Sequence, residues 1–336
     1  MKTQHLSRRK FLGTTTLAVA GLAVASKSTF GAPAYIKNLG KPNSLFNGVQ
    51  IGCNTYSFRS MPLHADTVLQ YCIDSNLSAI EMKGDEAEDF GGAPKAPARP
   101  RMAAPAPGQP RPPADPEYLA AVEEYSKKIA EWRANVPMEK FEQIRKMYND
   151  AGVSIYAYKP NALGPNNTDA EIDYTFRAAK ALGANQVTVE FPSNTAHSKK
   201  LGDFGAKYKI YVGYHGHLQQ TFDMWDASFI QSAYNAANFD MGHYVAAGFD
   251  PIEFINGRHS HIVSMHVKDR KSKENGGANL PWGEGDTPII EVLQLMAKNQ
   301  YSFPASIELE YQIPDGSDAV KEVAKCVEYC RKALGA

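Results

Sequence analysis

Short apolar runs rich in β-branched residues alternate with amphipathic stretches along most of the chain. Such a run is typical of a buried strand, and apolar residues at helical spacing are typical of a helix that packs on one side. The pattern predicts strands at residues 49–58, 79–82, 153–158, 186–190, 209–215, 238–241, 261–267 and 304–309. Eight strands that alternate with helices favour a single-domain α/β fold, the closed parallel (β/α)8 TIM barrel.

The amphipathic stretches predict helices at residues 67–75, 116–134, 137–151, 169–182, 229–234, 251–256, 288–299 and 318–334. Residues 197–207 are predicted as a loop with at most a short helix. An open, doubly wound sheet is the alternative, but it would carry a glycine-rich nucleotide fingerprint after the first strand. The sequence Gly52-Cys-Asn-Thr-Tyr at that position is not such a fingerprint.

The alternation stops between residues 91 and 116, where Pro, Ala, Gly and Arg predominate. A segment of this composition buries too little apolar surface to become ordered, so it is predicted as an exposed, flexible insertion. A proline-rich docking tract is the alternative. The barrel domain is expected at residues 48–336, and residues 26–47 are expected to form a leader rich in Ser, Gly, Pro and Asn.

The first residues have the features of an export signal. A basic segment precedes a mildly apolar stretch at residues 12–25, and Ala23-Val24-Ala25 offers a cleavage site. The run Ser7-Arg8-Arg9-Lys10-Phe11-Leu12 resembles the twin-arginine signal. We therefore expect a signal peptide at residues 1–25, recognition by the twin-arginine export machinery and a periplasmic protein. The apolar stretch is too short to make a stable membrane anchor.

The overall charge argues against a nucleic-acid-binding protein. The 336 residues have a formal net charge of zero, whereas binding to a duplex requires a basic face. The cysteines do not have zinc-finger spacing, and they are predicted as small buried residues: Cys53, Cys72, Cys326 and Cys330. A bridge from Cys72 to the last helix is the alternative in an oxidising compartment. The sequence leaves open whether the chain forms a homo-oligomer.

Side chains of the types that bind metals stand at the ends of four predicted strands: Glu190, Asp240, His266 and Glu308. The carboxyl ends of the strands converge on the axis of a parallel barrel, and active sites lie at that end. Three carboxylates and one imidazole suit a divalent ion such as Mn, Mg, Co or Zn. These residues therefore predict a site for one such ion.

From about residue 49 to residue 334, the sequence resembles the xylose isomerase-like barrels, which include sugar isomerases and epimerases, inosose dehydratase and endonuclease IV. The matching segments are Tyr214-His215-Gly216-His217, Phe239-Asp240-Met241-Gly242-His243, His266-Val267-Lys268-Asp269, Gly283-Glu284-Gly285 and Ile307-Glu308-Leu309-Glu310. The resemblance implies that the four strand-end residues bind one ion and that His243 contacts a substrate oxygen.

Two departures from that family affect these expectations. Its usual Tyr-His-Asn-His is Tyr-His-Gly-His here, which leaves the role of His215 in substrate binding open. Endonuclease IV has histidines at the ends of the second and third strands, for further zinc ions. Those strands end here in Glu81-Met82-Lys83 and Tyr158-Lys159, so a trinuclear DNA-repair site is not expected.

The expected chemistry is removal of a proton α to the carbonyl of a small sugar or keto-sugar, which gives an enediolate. The resemblance assigns the proton transfers to Glu190 and Glu308, and stabilisation of the enolate oxygen to His243 and Lys268. Trp282, Tyr56, Phe58 and Tyr158 are candidates for stacking on a sugar, or for packing alone. The favoured function is a sugar isomerase or epimerase. A lyase or dehydratase acting on keto-sugars or 3-keto-glycosides is the alternative, and a non-catalytic sugar-binding barrel is a third reading.

Overall fold

The structure is a computed structural model that describes residues 41–98, 100, 115–192 and 194–336. Eight parallel strands form its centre. They are β1 (Val49–Asn54), β2 (Ala79–Lys83), β3 (Ser154–Lys159), β4 (Gln186–Glu190), β5 (Tyr211–His215), β6 (Asn235–Asp240), β7 (Ile262–Val267) and β8 (Ala305–Ile307). Each strand pairs with the next one along the chain.

The first and last strands close the ring. Ile51 of β1 is in register with Ala305 of β8, and Cys53 of β1 is in register with Ile80 of β2. The predicted closed barrel is therefore confirmed, and the open doubly wound sheet is wrong. Because closure leaves no strand edge, the parallel barrel is a stable solution for strands that are apolar on both faces.

Helices surround the ring. They are α1 (Ala65–Asp74), α2 (Gly84–Gly91), α3 (Pro116–Asn135), α4 (Glu139–Ala151), α5 (Asp169–Leu182), α6 (Thr195–Tyr208), α7 (Asp226–Phe229), α8 (Met241–Ala247), α9 (Pro251–Arg258), α10 (Ile289–Asn299) and α11 (Ala319–Ala333). No helix among the described residues is both long and apolar enough to cross a bilayer.

Four helices differ from the sequence prediction. The segment expected to be a loop at residues 197–207 lies within α6, and α2 and α8 were not predicted. Conversely, α7 is only one turn long and ends at Phe229, where a longer helix was expected to begin. In α6, glycine allows close packing, since a Cβ on Gly205 would lie 2.8 Å from the carbonyl oxygen of Ile210.

Part of the predicted leader packs on the barrel. Residues Leu45–Phe46 form a short strand antiparallel to β1, and the side chain of Phe46 is buried in the core. The predicted signal peptide and the rest of the leader, up to residue 40, lie outside the described residues. Most of the predicted insertion, at residue 99 and residues 101–114, lies outside them too. The four cysteines are buried and carry free thiols.

Candidate functional site

Polar side chains fill the carboxyl end of the barrel. Asp240 ends β6 and is in register with His266 of β7. Glu308 directly follows β8, and its backbone N–H donates to the carbonyl of Val267 at 3.0 Å. The three side chains are nearly or wholly excluded from solvent, so the barrel brings three of the four predicted ligands together at its axis.

Three atoms of this group converge. Nδ1 of His266 lies 3.4 Å from Oε2 of Glu308 and 4.0 Å from Oδ2 of Asp240. All three atoms are buried. The two carboxylate oxygens lie against the ammonium of Lys268, whereas Nδ1 of His266 has no hydrogen-bond partner among the described residues. Buried carboxylates need positive charge beside them, so the convergence of these atoms points to a site for cations.

The ring of His266 is oriented by a further carboxylate, that of Glu81. Its Nε2 lies 3.1 Å from Oε2 of Glu81, a wholly buried residue of β2. Because Nε2–H donates a hydrogen bond to Glu81, Nδ1 is the nitrogen that faces Asp240 and Glu308. Burial lowers the pKa of His266, but the charges of Glu308 and Glu81 outweigh it and raise the pKa to about 10. The negative charge that favours a proton here also favours a metal cation.

His215 presents a fourth inward-facing atom. Its Nδ1 lies 2.9 Å from Oδ1 of Asn238, whose amide nitrogen is committed to Glu81 at 3.1 Å. An amide oxygen only accepts, so the proton of His215 sits on Nδ1 and the lone pair on Nε2 is free. Nε2 lies 3.9 Å from Oδ2 of Asp240. Burial, followed by the charge of His266, lowers the pKa of His215 to about 3, which keeps the ring neutral.

Together these groups fit a divalent metal ion. The ligand atoms of His215, Asp240 and His266 all lie within 4.8 Å of one another, and Glu308 adds a carboxylate oxygen beside His266. Two imidazole nitrogens and two carboxylate oxygens suit zinc, manganese or cobalt. Glu81 and Asn238 supply the outer hydrogen bonds that hold such histidines in one tautomer.

Lys268 is an internal cation within the same cluster. Its Nζ lies 2.9 Å from Oδ2 of Asp240 and 2.9 Å from Oε2 of Glu310, and it also contacts Glu308. Burial lowers the pKa of Lys268, but these three carboxylates outweigh it and leave the pKa above its usual range. The ammonium group therefore offsets part of the negative charge that the cluster buries.

Glu190, the remaining predicted ligand, makes different contacts. Its Oε1 accepts from Lys159 at 2.9 Å and its Oε2 from His217 at 2.8 Å. Burial raises its pKa, but these two donors outweigh it and hold the pKa below the usual range. The side chain is 55% exposed, so its carboxylate is an anion open to solvent. Its role as a ligand stays a prediction.

A hydrogen-bonded chain links Glu190 to Arg270. Nη1 of Arg270 lies 2.5 Å from Nδ1 of His243, and Nε2 of His243 lies 3.2 Å from Nδ1 of His217. Arginine only donates, so Nδ1 of His243 accepts and its Nε2 carries the proton. Nδ1 of His217 therefore accepts a hydrogen bond from Nε2–H of His243. The Nε2–H of His217 in turn donates to Glu190. His243 thus directs its Nε2–H at His217, beside the cluster.

The predicted stacking residues are spread out. Tyr56 is exposed, with the guanidinium of Arg59 lying 4.4 Å from its ring centroid. Trp282 packs edge-on against Tyr329, with ring centroids 5.8 Å apart. Their binding roles stay predictions. Phe58 and Tyr158 are fully buried, so they pack in the core.

Several residues of the site were not singled out from the sequence: Glu81, Asn238, His217, Arg270 and Glu310. A signal was present for Glu81, because a carboxylate within an otherwise apolar strand needs a buried partner. The other four lie within or beside the motifs, but spacing alone does not show which way a side chain points.

The fold and the site define a class: a closed (β/α)8 barrel with metal-ligand side chains at the carboxyl ends of its strands. The sequence matches the family described as xylose isomerase-like TIM barrel over residues 119–330, which is more than half of the chain. The chain therefore belongs to the xylose isomerase-like TIM barrel family. No curated protein matches the sequence.

Solved structures share the fold at low sequence identity. A probable 3-DHS dehydratase, AsbF, from Bacillus anthracis superposes with a TM-score of 0.58 at 14% identity, covering 83% of this chain and 97% of that one. A sugar phosphate isomerase/epimerase from Parabacteroides distasonis gives 0.56 at 16% identity, covering 85% and 95%. The IolI protein, solved with a zinc atom, gives 0.53 at 14% identity, covering 84% and 98%. At these identities the likeness concerns the fold alone.

Proposed function

We propose that this protein is a divalent-metal-dependent sugar isomerase or epimerase that removes a proton α to a carbonyl. The observation that carries the proposal is the convergence of buried metal-ligand atoms from Asp240, His266 and Glu308 in the part of the barrel that the structure describes. A zinc atom in the IolI structure, and magnesium in a family structure from Mycobacterium smegmatis, support a metal at such a site.

The ligand set that we propose is His215, Asp240, His266 and Glu308. His215 replaces the predicted ligand Glu190, because the neutral Nε2 of His215 faces the cluster while Glu190 is bonded to Lys159 and His217. When bound, the ion would act as a Lewis acid that makes the hydrogen next to a carbonyl more acidic.

The chain's own groups would then move the proton. Glu190 is an anion with an accessible carboxylate, so we propose it as the group that accepts the α-proton, with Glu308 as the second acid–base group. The Nε2–H of His243 would exchange His217 for the substrate oxygen as its acceptor, and together with the ammonium of Lys268 it would stabilise the developing oxyanion. Return of the proton to the same carbon or to its neighbour distinguishes epimerisation from isomerisation.

Two glutamine variants distinguish residues that bind the ion from residues that transfer the proton. His215→Gln is expected to lose most of its stoichiometric metal, whereas Glu190→Gln keeps it. Both are expected to lose at least about a hundredfold of the exchange of substrate hydrogen in D2O, measured by NMR on a panel of keto-sugars and 3-keto-glycosides. The matched control is His259→Gln, since His259 precedes β7 at the opposite end of the barrel.

Full metal content in His215→Gln would contradict the ligand set. Near-parent exchange in a fully metallated Glu190→Gln would contradict its role as base. Exchange without bond loss identifies an isomerase or epimerase, and release of a leaving group identifies the lyase instead. A fully metallated parent protein that exchanges hydrogen on none of these substrates would contradict the enzymatic proposal.

A further inference from the structure

An apolar cavity of about 380 Å³ adjoins Glu190. It lies between the carboxyl ends of β3 and β4, at the same end of the barrel as the cluster. Its wall is formed mainly by rings and aliphatic side chains: Pro160, Leu163, Pro165, Val189, Phe191 and Pro192. This volume lies within the range of small-molecule pockets, which are also predominantly apolar.

The cavity has no free positive charge among its described lining residues. Lys159 is its cation, and its Nζ is paired with Oε1 of Glu190 at 2.9 Å. His197 also lines the cavity, but its Nε2 is bonded to the carbonyl oxygen of Leu163 at 2.8 Å. A phosphate group requires unpaired donors or cations, so the cavity suits an uncharged ligand.

One buried hydroxyl on the wall has no partner. Thr188 is wholly excluded from solvent, and its Oγ1 makes no hydrogen bond to the residues that the structure describes. Because this hydroxyl is closed off from solvent, it adds no exposed polar group to the cavity wall.

The wall is held in place before any ligand arrives. The backbone N–H of Phe191 donates to the carbonyl of His215 at 2.8 Å. Its ring packs edge-on against Tyr214 and Trp225, with centroids 5.8 Å and 6.0 Å away. A preformed wall reduces the entropy that a ligand loses on binding.

We propose that this cavity binds an uncharged apolar ring carried by the sugar substrate, which makes the substrate a keto-glycoside with an aryl aglycone and a carbonyl on its sugar ring. The inference rests on the proposed function, because it takes Glu190 to stand beside the reacting sugar. Glu190 borders both the cavity and the hydrogen-bonded chain that leads to His243, so a sugar at the cluster would direct a substituent into the cavity.

Calorimetry on the metal-loaded protein tests the proposal with three probes: phenyl β-glucoside, methyl β-glucoside and glucose 6-phosphate. The phenyl glucoside is expected to bind at least about tenfold more tightly than the other two. Phe191→Ala is expected to remove most of that difference, and Val189→Ala a smaller part. Phe249→Ala is the matched control, because Phe249 is an exposed phenylalanine that packs on Tyr244 outside the cavity.

A sugar-free probe makes the result independent of the sugar. Binding of 4-fluorophenol is followed by ¹⁹F NMR. It is expected in the parent protein and in Phe249→Ala, and it is expected to be lost in Phe191→Ala. The melting temperature of Phe191→Ala is measured to show that this variant is folded. Tighter binding of glucose 6-phosphate, or 4-fluorophenol binding that is absent or unchanged in Phe191→Ala, would overturn the proposal. A phenyl preference without hydrogen exchange on any substrate would overturn the proposed function alone, because binding is measured without turnover.

Discussion

Glu86 is a carboxyl group buried beneath the first turn of α2. The hydroxyl of Thr55 donates to its Oε1 at 2.9 Å, and its Oε2 has no partner among the described residues. Burial raises the pKa of Glu86 from 4.5 to about 7. The folded chain therefore keeps a proton that the unfolded chain releases near pH 4.5. This contribution to stability is complete below that pH and is lost as the pH rises through 7.

Glu86→Gln mimics the protonated carboxyl, so it is expected to stabilise the protein where Glu86 is ionised. We expect a gain of up to about 3 kcal/mol in the free energy of unfolding at pH 8, and less than about 1 kcal/mol at pH 5. Urea unfolding at the two pH values measures the difference. Glu123→Gln, on the exposed face of α3, is the control, and an equal gain at both pH values would contradict the argument.

The individual ligands were predictable from the sequence to different extents. Asp240, His266 and Glu308 follow apolar runs, and strand ends converge in any parallel barrel, so their proximity could be predicted. The position of Nε2 of His215, which faces the cluster, could not be predicted. It depends on the tautomer of the ring, which Asn238 on the neighbouring strand sets. The exposure of Glu190 and its pairing with Lys159 and His217 could not be predicted either, since spacing does not show which way a side chain points.

At the level of elements, strands were predicted better than short helices. A strand of the barrel is apolar for most of its length, whereas α8 begins just after Asp240, a proposed metal ligand. Oδ1 of Asp240 accepts from the backbone N–H of His243 and caps that helix. In α6, the apolar pattern is weak because Gly202 and Gly205 face the barrel, where a side chain would collide with its neighbours. Side-chain capping and glycine packing are tertiary effects that periodicity does not record.

The helix α3 is attached to the barrel by one buried arginine. Arg133 donates through Nε and Nη2 to both oxygens of Glu88, at 2.8 Å and 3.1 Å, and through Nη1 to Glu171 at 3.2 Å. All three side chains are nearly excluded from solvent. Within α3, only Ile129 and Arg133 are buried, so this ion cluster holds the helix together with Ile129 and the partly buried ring of Trp132, which packs edge-on against Tyr174.

Arg133→Met is expected to lower the free energy of unfolding by about 3–5 kcal/mol, because it leaves two carboxylates buried without a counter-charge. Urea unfolding is the measurement. Adding Glu88→Gln and Glu171→Gln to the same chain should recover part of the loss. Arg331→Met removes an exposed pair with Glu328 and should cost less than about 1 kcal/mol. Equal effects of the two arginine variants would rule out the buried cluster as the attachment.

For the molecule as a whole, we propose export by the twin-arginine route to the periplasm, on the basis of the N-terminal sequence motif. The double variant Arg8→Lys/Arg9→Lys is expected to leave the precursor in the cytoplasm, as measured by fractionation and immunoblotting. Arg99→Lys/Arg101→Lys makes the same chemical change in the Pro-rich segment and should not affect location. Normal export of the first variant would refute the proposal.

The closure of the barrel also determines the stage of synthesis at which the site can form. Nδ2 of Asn54, at the end of the first strand, donates to Oε1 of Glu308 at 2.6 Å, across 254 positions of sequence. At a synthesis rate of roughly 5–20 residues per second, the first strand waits on the order of ten to fifty seconds for this partner. During that time a nascent chain carries unpaired strand edges, which are templates for aggregation. The centre is completed only when Glu308 has left the ribosome.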